Sequence, residues 1–158
     1  HMLPPHFENI GKRLMKSPKL YFYDTGLLCY LLGIQKAAEL TVHPMRGYIF
    51  EAWVMSELLK NRFNSGRSSN LYFWRDHVGH EVDCLVDNGQ KMTAIEIKSA
   101  VTLYEEQFKG LKYFKEIAGK KSVTSLLVYA GKESQQRTSG EVADWRTFGL
   151  RLARKLSS

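Results

Sequence analysis

The amino-acid sequence predicts an α/β domain built on a mixed β-sheet. Apolar residues recur at helical spacing in two stretches, and four other stretches carry the short apolar runs that are typical of strands. Their order is helix, three strands, helix, strand, and a smaller strand-helix unit precedes them. This order favours one sheet with helices packed on its faces. The predicted helices lie near residues 45–63 and 104–118, and the predicted strands near 71–75, 81–86, 92–98 and 123–130.

Length and composition fit a single domain. The chain has 158 residues, and 44% of them are hydrophobic, which is enough to bury a core. Its two cysteines, Cys29 and Cys84, are too few for a disulfide framework or a structural zinc site. No apolar run reaches membrane-spanning length and no signal-peptide pattern opens the chain. We therefore expect a cytoplasmic domain that does not enter a membrane.

The domain organisation is predicted from the first residues and from the elements that follow. His1-Met2 has the pattern of a cloning scar, so we expect the chain to be a fragment of a longer protein. Residues 3–43 are predicted to form an N-terminal segment that packs on the core. The core itself is predicted to be one domain over residues 44–158.

The N-terminal segment predicts a short strand followed by a short helix. Leu20–Tyr23 is the strand candidate, and Asp24 is a good N-cap for the apolar run Leu27–Leu32. Gly33 is placed to end that helix, and residues 34–43 have the composition of a connection. Asp-Thr-Gly is also the nucleophile tripeptide of aspartic proteases, but that site belongs to an all-β fold. We therefore interpret the tripeptide here as a capping turn.

The core elements are separated by clear loop signals. The helix near 45–63 opens after Pro44, and the polar run NSGRSSN at residues 64–70 follows it. Tyr104–Ala118 is predicted to be helical and to end at Gly119. Gly131–Gly140 reads as a polar loop, and a short basic helix is predicted to close the chain. His77 and His80 lie between two predicted strands, where we interpret them as turn residues, and His80 and Arg75 are placed where they could border the site described below.

Three polar residues interrupt the two strands of a predicted hairpin. Side chains alternate across a strand, so Asp83 and Leu85 are expected to point away from Val82, Cys84 and Val86. On the second strand, Glu96 and Lys98 share a face opposite Ile95 and Ile97. If the register is right, Asp83, Glu96 and Lys98 therefore lie on one face of the sheet.

The turn of the hairpin decides the register. A two-residue turn at Asn88-Gly89 sets Asp83 diagonal to Glu96, and a turn at Gly89-Gln90 sets Asp83 directly opposite Glu96. Both turns keep the three residues together. A three-residue loop would instead turn one strand over, because a slip of one residue exchanges its faces.

Two neighbouring carboxylates and a lysine predict a site for a divalent cation. Carboxylates side by side resist ionising together, and a hard ion such as Mg²⁺ relieves this with oxygen ligands. Lys98 is placed to steady an attacking water or the charge on a phosphate. Glu51 continues the apolar stripe of the preceding helix and is a fourth candidate, although a first-turn acid also suits the helix dipole.

Positive charge is concentrated in two regions of the chain. The formal net charge is +7, and lysines dominate residues 107–121 while arginines dominate residues 145–158. Such a surplus favours a polyanion such as DNA, although a solvated surface is an equally ordinary reading. The residues predicted to hold a nucleic-acid backbone are Lys109, Lys112, Lys115, Arg151 and Arg154.

The strand order and the polar residues resemble the restriction-endonuclease-like superfamily, whose motif is written PD-(D/E)xK. Asp83 matches its first acid, Glu96 the second acid, Lys98 the lysine, and Glu51 the acid on the leading helix. Val82 stands where the motif usually has proline. The resemblance implies a restriction-endonuclease-like core.

A longer resemblance covers nearly the whole chain. The segments at residues 16–33, 47–60, 71–87 and 94–99 are similar to the C-terminal domain of a prokaryotic family of AAA-type ATP-binding proteins. In that family the ATPase module comes first and a domain of unknown function follows. This chain lacks the phosphate-binding motif G-x-x-x-x-G-K-[ST], so the resemblance implies that ATP is bound only by a module outside it.

These resemblances imply two alternative functions. The first is a Mg²⁺- or Mn²⁺-dependent phosphodiesterase acting on DNA, in which Asp83, Glu96 and the carbonyl of Ile97 hold the metal. Lys98 would orient water, and Glu51 would bind a second metal or its water. The second is a catalytically silent module that binds nucleic acid or protein on behalf of the ATPase. The oligomeric state is not predicted.

Overall fold

The computed structural model describes residues 1–6, 17–119 and 121–149 of the chain. In these ranges six strands form a mixed sheet, and two further strands form a small antiparallel pair. Helices cover both faces of the larger sheet. The predicted α/β class and the predicted order of helix, three strands, helix and strand are confirmed.

The N-terminal segment consists of two short strands and two short helices. The strand predicted over Leu20–Tyr23 is shorter and begins earlier, while the helix after Asp24 is confirmed: the Asp24 carboxylate accepts a hydrogen bond from the Leu27 N–H at 3.0 Å. Residues 34–43 are not only a connection, because a helix occupies part of them. The elements are β1 (Met2–Leu3), β2 (Lys19–Leu20), α1 (Thr25–Leu31) and α2 (Ala37–Val42).

Helix α2 was missed because its N-terminal signal is a side-chain bond rather than a common capping residue. The Glu39 carboxylate accepts hydrogen bonds from the backbone N–H groups of Gln35 at 2.8 Å and of Lys36 at 3.2 Å. A glutamate in the first turn that reaches back in this way satisfies N–H groups that the helix leaves without partners.

The long helix and the larger sheet follow the predicted order. Helix α3 is Arg46–Asn64, and it ends at the first residue of the predicted loop, in which Gly66 adopts a φ of 67°. The helix predicted over Tyr104–Ala118 begins with a 3₁₀ turn at Glu105–Phe108 and continues as α4, Lys109–Ile117. The strands are β3 (Leu71–Arg75), β4 (Glu81–Asp87), β5 (Lys91–Lys98), β6 (Ser122–Tyr129), β7 (Gln135–Arg137) and β8 (Gly140–Asp144).

The sheet has an antiparallel part and a parallel part. Its strand order is β3-β4-β5-β6-β8-β7; β3, β4 and β5 are antiparallel, β5, β6 and β8 are parallel, and β7 is antiparallel to β8. The parallel strands lie between helices and are apolar, as expected for strands that are buried on both faces.

Two apolar cores flank the sheet. One core contains α3 residues such as Leu58, together with Ile95 and Ile97 from the sheet. The other contains α4 residues such as Phe114, together with Leu85. Residues of the N-terminal segment, Leu3, Tyr21 and Leu28, are buried in the first core, so this segment packs against the same side as α3.

The predicted loop over Gly131–Gly140 contains a strand and leads into another. Strand β7 lies inside this range, and β8 pairs in parallel with β6, where it buries Val142 and Ala143. The prediction was wrong because these strands are short and polar at the start. Residues 145–149 are helical, in agreement with the start of the predicted closing helix, whose remainder lies outside the described residues.

None of the helices in the described part of the chain combines the length and the apolar character needed to cross a membrane.

Candidate active site

The hairpin between β4 and β5 uses the second of the two predicted turns. Cys84 pairs with Ile95 and Asp87 with Met92, which leaves Gly89 and Gln90 as the two turn residues. Gly89 has a φ of 81°, which suits the first position of a two-residue turn that favours glycine there. Continued by one residue, this register would set Asp83 opposite Glu96, but the pairing of the two strands stops at Cys84 and Ile95.

A β-bulge lies at Asp83. Trp74 of β3 pairs with Val82, and Tyr72 pairs with Leu85, so Asp83 and Cys84 together oppose one residue of β3. Bulges re-aim side chains and are frequent beside active sites. Val82 was predicted to share a face with Cys84 and does not: the bulge turns it toward the core that contains Leu85 and α4.

The Asp83 carboxylate lies where β4 and β5 separate. The ladder between these strands stops at Cys84 and Ile95, and Asp83 Oδ2 then accepts a hydrogen bond from the Ile97 N–H at 2.8 Å. The N–H and C=O groups of one strand residue point to the same side. The Ile97 carbonyl is therefore directed toward the side of β5 on which Asp83 lies.

Glu96 and Lys98 form an ion pair next to this point. Lys98 Nζ lies 2.5 Å from Glu96 Oε1. Glu96 is only 9% exposed, and its second oxygen, Oε2, is buried without a hydrogen-bond partner. A buried oxygen of this kind costs free energy unless a donor or a cation reaches it. Among the predicted site residues that the structure describes, this is the one buried side-chain oxygen without a hydrogen-bond partner.

Glu51 reaches the site from α3 and is held by the N-terminal segment. Tyr21, which is almost fully buried, donates its hydroxyl hydrogen bond to Glu51 Oε1. Lys19 Nζ lies 3.4 Å from the same oxygen and 2.5 Å from Glu81 Oε1. The four predicted residues Glu51, Asp83, Glu96 and Lys98 are therefore accompanied by Lys19, Tyr21 and Glu81.

Sequence reasoning missed these three residues. Lys19 and Tyr21 are two positions apart, as strand residues on one face are, and this spacing was the available signal. It did not identify them because their partner Glu51 lies about thirty residues away, and only the docking of the N-terminal segment brings them together. Glu81 precedes Asp83 by two positions on β4.

The electrostatics of the group reflect an excess of buried negative charge. Burial, followed by the Glu96 and Glu51 carboxylates, raises the pKa of Asp83 to about 8. Burial also raises the pKa of Glu96, although Lys98 opposes this. Burial lowers the pKa of Lys98, but the Glu96 and Asp83 carboxylates outweigh burial and raise it. The charges of four residues therefore interact within a single site: Asp83, Glu96, Lys98 and Glu51.

The basic residues are only partly gathered on one surface. Lys109, Lys112 and Lys115 are exposed on α4. Lys112 is engaged by Glu105, with 2.6 Å between Nζ and Oε1, so part of its charge is compensated. Arg151 and Arg154 lie outside the described residues.

The turn that carries His77 and His80 is organised by Asp76. Asp76 Oδ1 accepts hydrogen bonds from the backbone N–H groups of Val78, Gly79 and His80, and Oδ2 lies 2.7 Å from His80 Nδ1. The His80 ring stacks on Tyr113 of α4. These contacts make His80 part of a turn, as the sequence indicates.

The oxygen atoms at the site differ from a complete set of metal ligands. Across residues 1–6, 17–119 and 121–149, no three or more His, Cys, Asp or Glu side chains form a group that could hold a metal ion. Mg²⁺, however, often uses only one or two carboxylates and completes its shell with water. The site offers oxygen ligands of the kind that such an ion prefers: Glu96 Oε2, the Asp83 carboxylate and the Ile97 carbonyl.

Comparisons with known proteins place the chain in a family without an assigned function. A model described as a domain of unknown function, DUF4143, matches residues 46–148, and another domain of unknown function, DUF8612, matches residues 1–38. The uncharacterized proteins Rv2008c of Mycobacterium tuberculosis and Mb2031c of Mycobacterium bovis are each 38% identical over 100 residues.

The matched stretch is 63% of this chain but only 22% of either mycobacterial protein, so the chain spans a minor part of these relatives' length. No solved structure has significant similarity to it. Because the DUF4143 match covers more than half of the chain, the chain belongs to this family of domains of unknown function.

Proposed function

We propose that the chain is a nuclease-like domain of the restriction-endonuclease-like class that hydrolyses DNA phosphodiester bonds with Mg²⁺ or Mn²⁺. One observation carries the proposal. Asp83 and the Glu96-Lys98 pair meet at the point where two strands separate, and Glu96 Oε2 is buried there without a partner. The buried oxygen without a partner favours a bound metal ion over the alternative that Glu96 and Lys98 form an ion pair with only a structural role.

Asp83, Glu96 and the Ile97 carbonyl would hold the metal. When bound, such an ion supplies charge that stabilises a phosphoryl transition state and lowers the pKa of a coordinated water. The Ile97 N–H keeps the Asp83 carboxylate in place through the 2.8 Å bond, so the ligand is oriented before any ion arrives. Because this bond joins β4 to β5, the position of the Asp83 carboxylate depends on the register of the two strands.

Lys98 would orient the attacking water and face the charge that develops on the phosphate. Its ammonium lies 2.5 Å from Glu96 Oε1, and it is about one third exposed, so it reaches both the buried acid and the solvent side. A cation held in this position is ready to stabilise a negatively charged phosphate. Glu51 would contribute to the charge of the site from α3.

DNA would be held by the basic surface, and the longer parent protein would supply the ATPase. Lys109, Lys112 and Lys115 form an exposed stripe along α4, and Arg151 and Arg154 are the C-terminal candidates. The low share of the mycobacterial relatives that this chain covers leaves room for an additional module, which we propose to be the AAA-type ATP-binding module. In this proposal the protein works in the cytoplasm.

The test is metal-dependent cleavage. Wild-type protein, Asp83→Ala, Lys98→Ala and the surface variant Lys60→Ala would be incubated with linear and supercoiled DNA in Mg²⁺, Mn²⁺ or EDTA. We expect cleavage only with a metal, loss of at least about 100-fold in the two site variants, and no change in Lys60→Ala. Equal cleavage by all four proteins would overturn the assignment. The full-length protein with and without ATP would be assayed in parallel.

A second candidate function is a catalytically silent module that binds DNA or protein for the ATPase. The ion pairs favour it: Lys98 already neutralises Glu96, and Lys19 already neutralises Glu81. A silent module would be retained on DNA, with affinity falling as salt rises, and would show neither cleavage nor calorimetric binding of Mg²⁺ or Mn²⁺. Metal calorimetry on wild type and Asp83→Asn therefore separates the two functions.

A further inference from the structure

A lysine from the N-terminal strand lies between two acids of the site. Lys19 Nζ is 2.5 Å from Glu81 Oε1 on β4 and 3.4 Å from Glu51 Oε1 on α3. The three side chains are all less than one third exposed, so their interaction is shielded from solvent more than that of an ordinary surface pair. One ammonium group therefore joins carboxylates from two separate elements.

The fold holds Lys19 in this position. Strand β2 pairs with β1, and the Tyr48 hydroxyl of α3 donates a hydrogen bond to the Leu20 carbonyl. On the next residue, the Tyr21 hydroxyl donates to the same Glu51 oxygen that Lys19 approaches. The ammonium is also 5.5 Å from the centre of the Phe73 ring. These contacts hold Lys19 and the two residues that follow it in place.

We propose that Lys19 Nζ takes the place of a second divalent ion, so that the site binds a single ion at Asp83 and Glu96. The inference rests on the metal site of the proposed function. Two carboxylate oxygens from different elements that converge on one point are ligands of the kind that a second Mg²⁺ would use. Here that point is filled by a cation that belongs to the chain, and Glu51 is a partner of Lys19 rather than a metal ligand.

The charges of the group agree with a single ion. When Asp83 is ionised, as a metal ligand must be, carboxylates outnumber cations by one among the residues named at this site, even with the exposed Arg75 that lies 3.8 Å from Glu81. One divalent ion outweighs that excess. A second ion next to the Lys19 ammonium would meet like charge at short distance, which is unfavourable. The acids are Glu51, Glu81, Asp83 and Glu96, and the cations are Lys19, Arg75 and Lys98.

The experiment counts bound Mn²⁺ by calorimetry and by electron paramagnetic resonance of the free ion. Wild-type protein is compared with Lys19→Gln, which removes the charge, and with Lys19→Arg, which keeps it. Lys60→Gln is the matched control, because Lys60 pairs with Glu57 on the exposed side of α3 at 2.6 Å. We expect one ion per chain in wild type, Lys19→Arg and Lys60→Gln, and two in Lys19→Gln.

Each outcome decides the inference. Two ions in wild type, or the same number in Lys19→Gln as in wild type, would overturn it. An ion bound by Lys19→Gln but by none of the other proteins would support the role of Lys19 while overturning the metal site of the proposed function. Circular dichroism and a urea titration on every variant establish that Lys19→Gln is folded when its ions are counted.

Discussion

The Asp83 carboxylate accepts a hydrogen bond from the Ile97 N–H, with 2.8 Å between Oδ2 and N. It does so just beyond the last paired residues of β4 and β5, where a backbone carbonyl would otherwise be the acceptor. A side chain thus completes the backbone hydrogen bonding of a central strand. A substitution by asparagine removes the charge of Asp83 but keeps an oxygen that can accept the hydrogen bond from the Ile97 N–H.

The first prediction concerns the pH dependence of stability in Asp83→Asn. Because burial and the Glu96 and Glu51 carboxylates raise the pKa of Asp83 from 3.8 to about 8, the folded chain retains a proton that the unfolded chain releases. Between these values the free energy of unfolding falls as pH rises, by at most about 1.4 kcal/mol per pH unit for one group. Asp83→Asn keeps an acceptor for the Ile97 N–H and should lose this slope.

Urea unfolding in EDTA at several pH values between about 5 and 8 measures the slope. The control is Asp144→Asn: burial opposes ionisation of Asp144, but hydrogen bonds from Thr147 and Ser134 hold its pKa below the usual range, so it does not titrate between these pH values. That variant should be less stable than wild type with the same slope. A wild-type slope in Asp83→Asn would contradict the prediction.

The second prediction concerns the close contact between α4 and β4. A Cβ atom added at Gly110 would overlap the carbonyl oxygen of Glu81 and would lie 3.7 Å from Glu96 Oε2. Gly110→Ala should therefore force the helix away from the strand and reduce the free energy of unfolding by about 1–3 kcal/mol. Urea or thermal unfolding measures the loss.

A helical glycine with free space provides the control for this substitution. A Cβ at Gly47 of α3 would approach nothing closer than Ser99 Oγ, at 4.0 Å. Gly47→Ala should leave stability unchanged or raise it by up to about 1 kcal/mol, because alanine is the better helix former. Equal free energies of unfolding for the two alanine variants would show that the close approach of Gly110 to Glu81 does not affect stability.

The third prediction concerns DNA binding by α4. Lys109 and Lys115 are exposed, whereas Lys112 is engaged by Glu105. Replacing Lys109 and Lys115 together by glutamine should weaken DNA binding and reduce the slope of log affinity against log salt by about 2. Fluorescence anisotropy at several salt concentrations measures this slope. Lys112→Gln should have a smaller effect, and an unchanged slope in the double variant would exclude α4 as the DNA-binding surface.

The sequence predicts the hairpin well because the hairpin is determined by residues that are close together in the chain. Alternating apolar residues on both strands fix which side of each strand is buried, and a two-residue turn containing Gly89 limits the register to two choices. The structure uses Gly89-Gln90. The bulge at Asp83 and Cys84 could not be predicted, because it depends on how β4 pairs with β3 rather than on the hairpin itself. This is why Val82 was placed on the wrong face.

Features that depend on distant partners were beyond sequence reasoning. Strand β8 is recognisable mainly through its parallel pairing with β6, because its sequence has only two consecutive buried apolar residues, Val142 and Ala143. The same reason applies to Lys19 and Tyr21, whose role at the site depends on tertiary contacts with Glu51. Asp83, Glu96 and Lys98 were found because they interrupt apolar strands, and a polar residue in an apolar strand is visible in the sequence alone.

The position of Lys19 has a practical consequence for the choice of expression boundaries. The DUF4143 match begins at residue 46, and a protein trimmed to that point would retain α3 and the larger sheet but would lose the ammonium and phenol groups that contact Glu51. Glu51 and Glu81 would then lose the Lys19 ammonium that lies between them, although Arg75 would still lie 3.8 Å from Glu81. A biochemist who purified such a truncated protein would be measuring an artificially acidic cleft, and any ion count or inactivity recorded for it would describe the truncation instead of the natural protein.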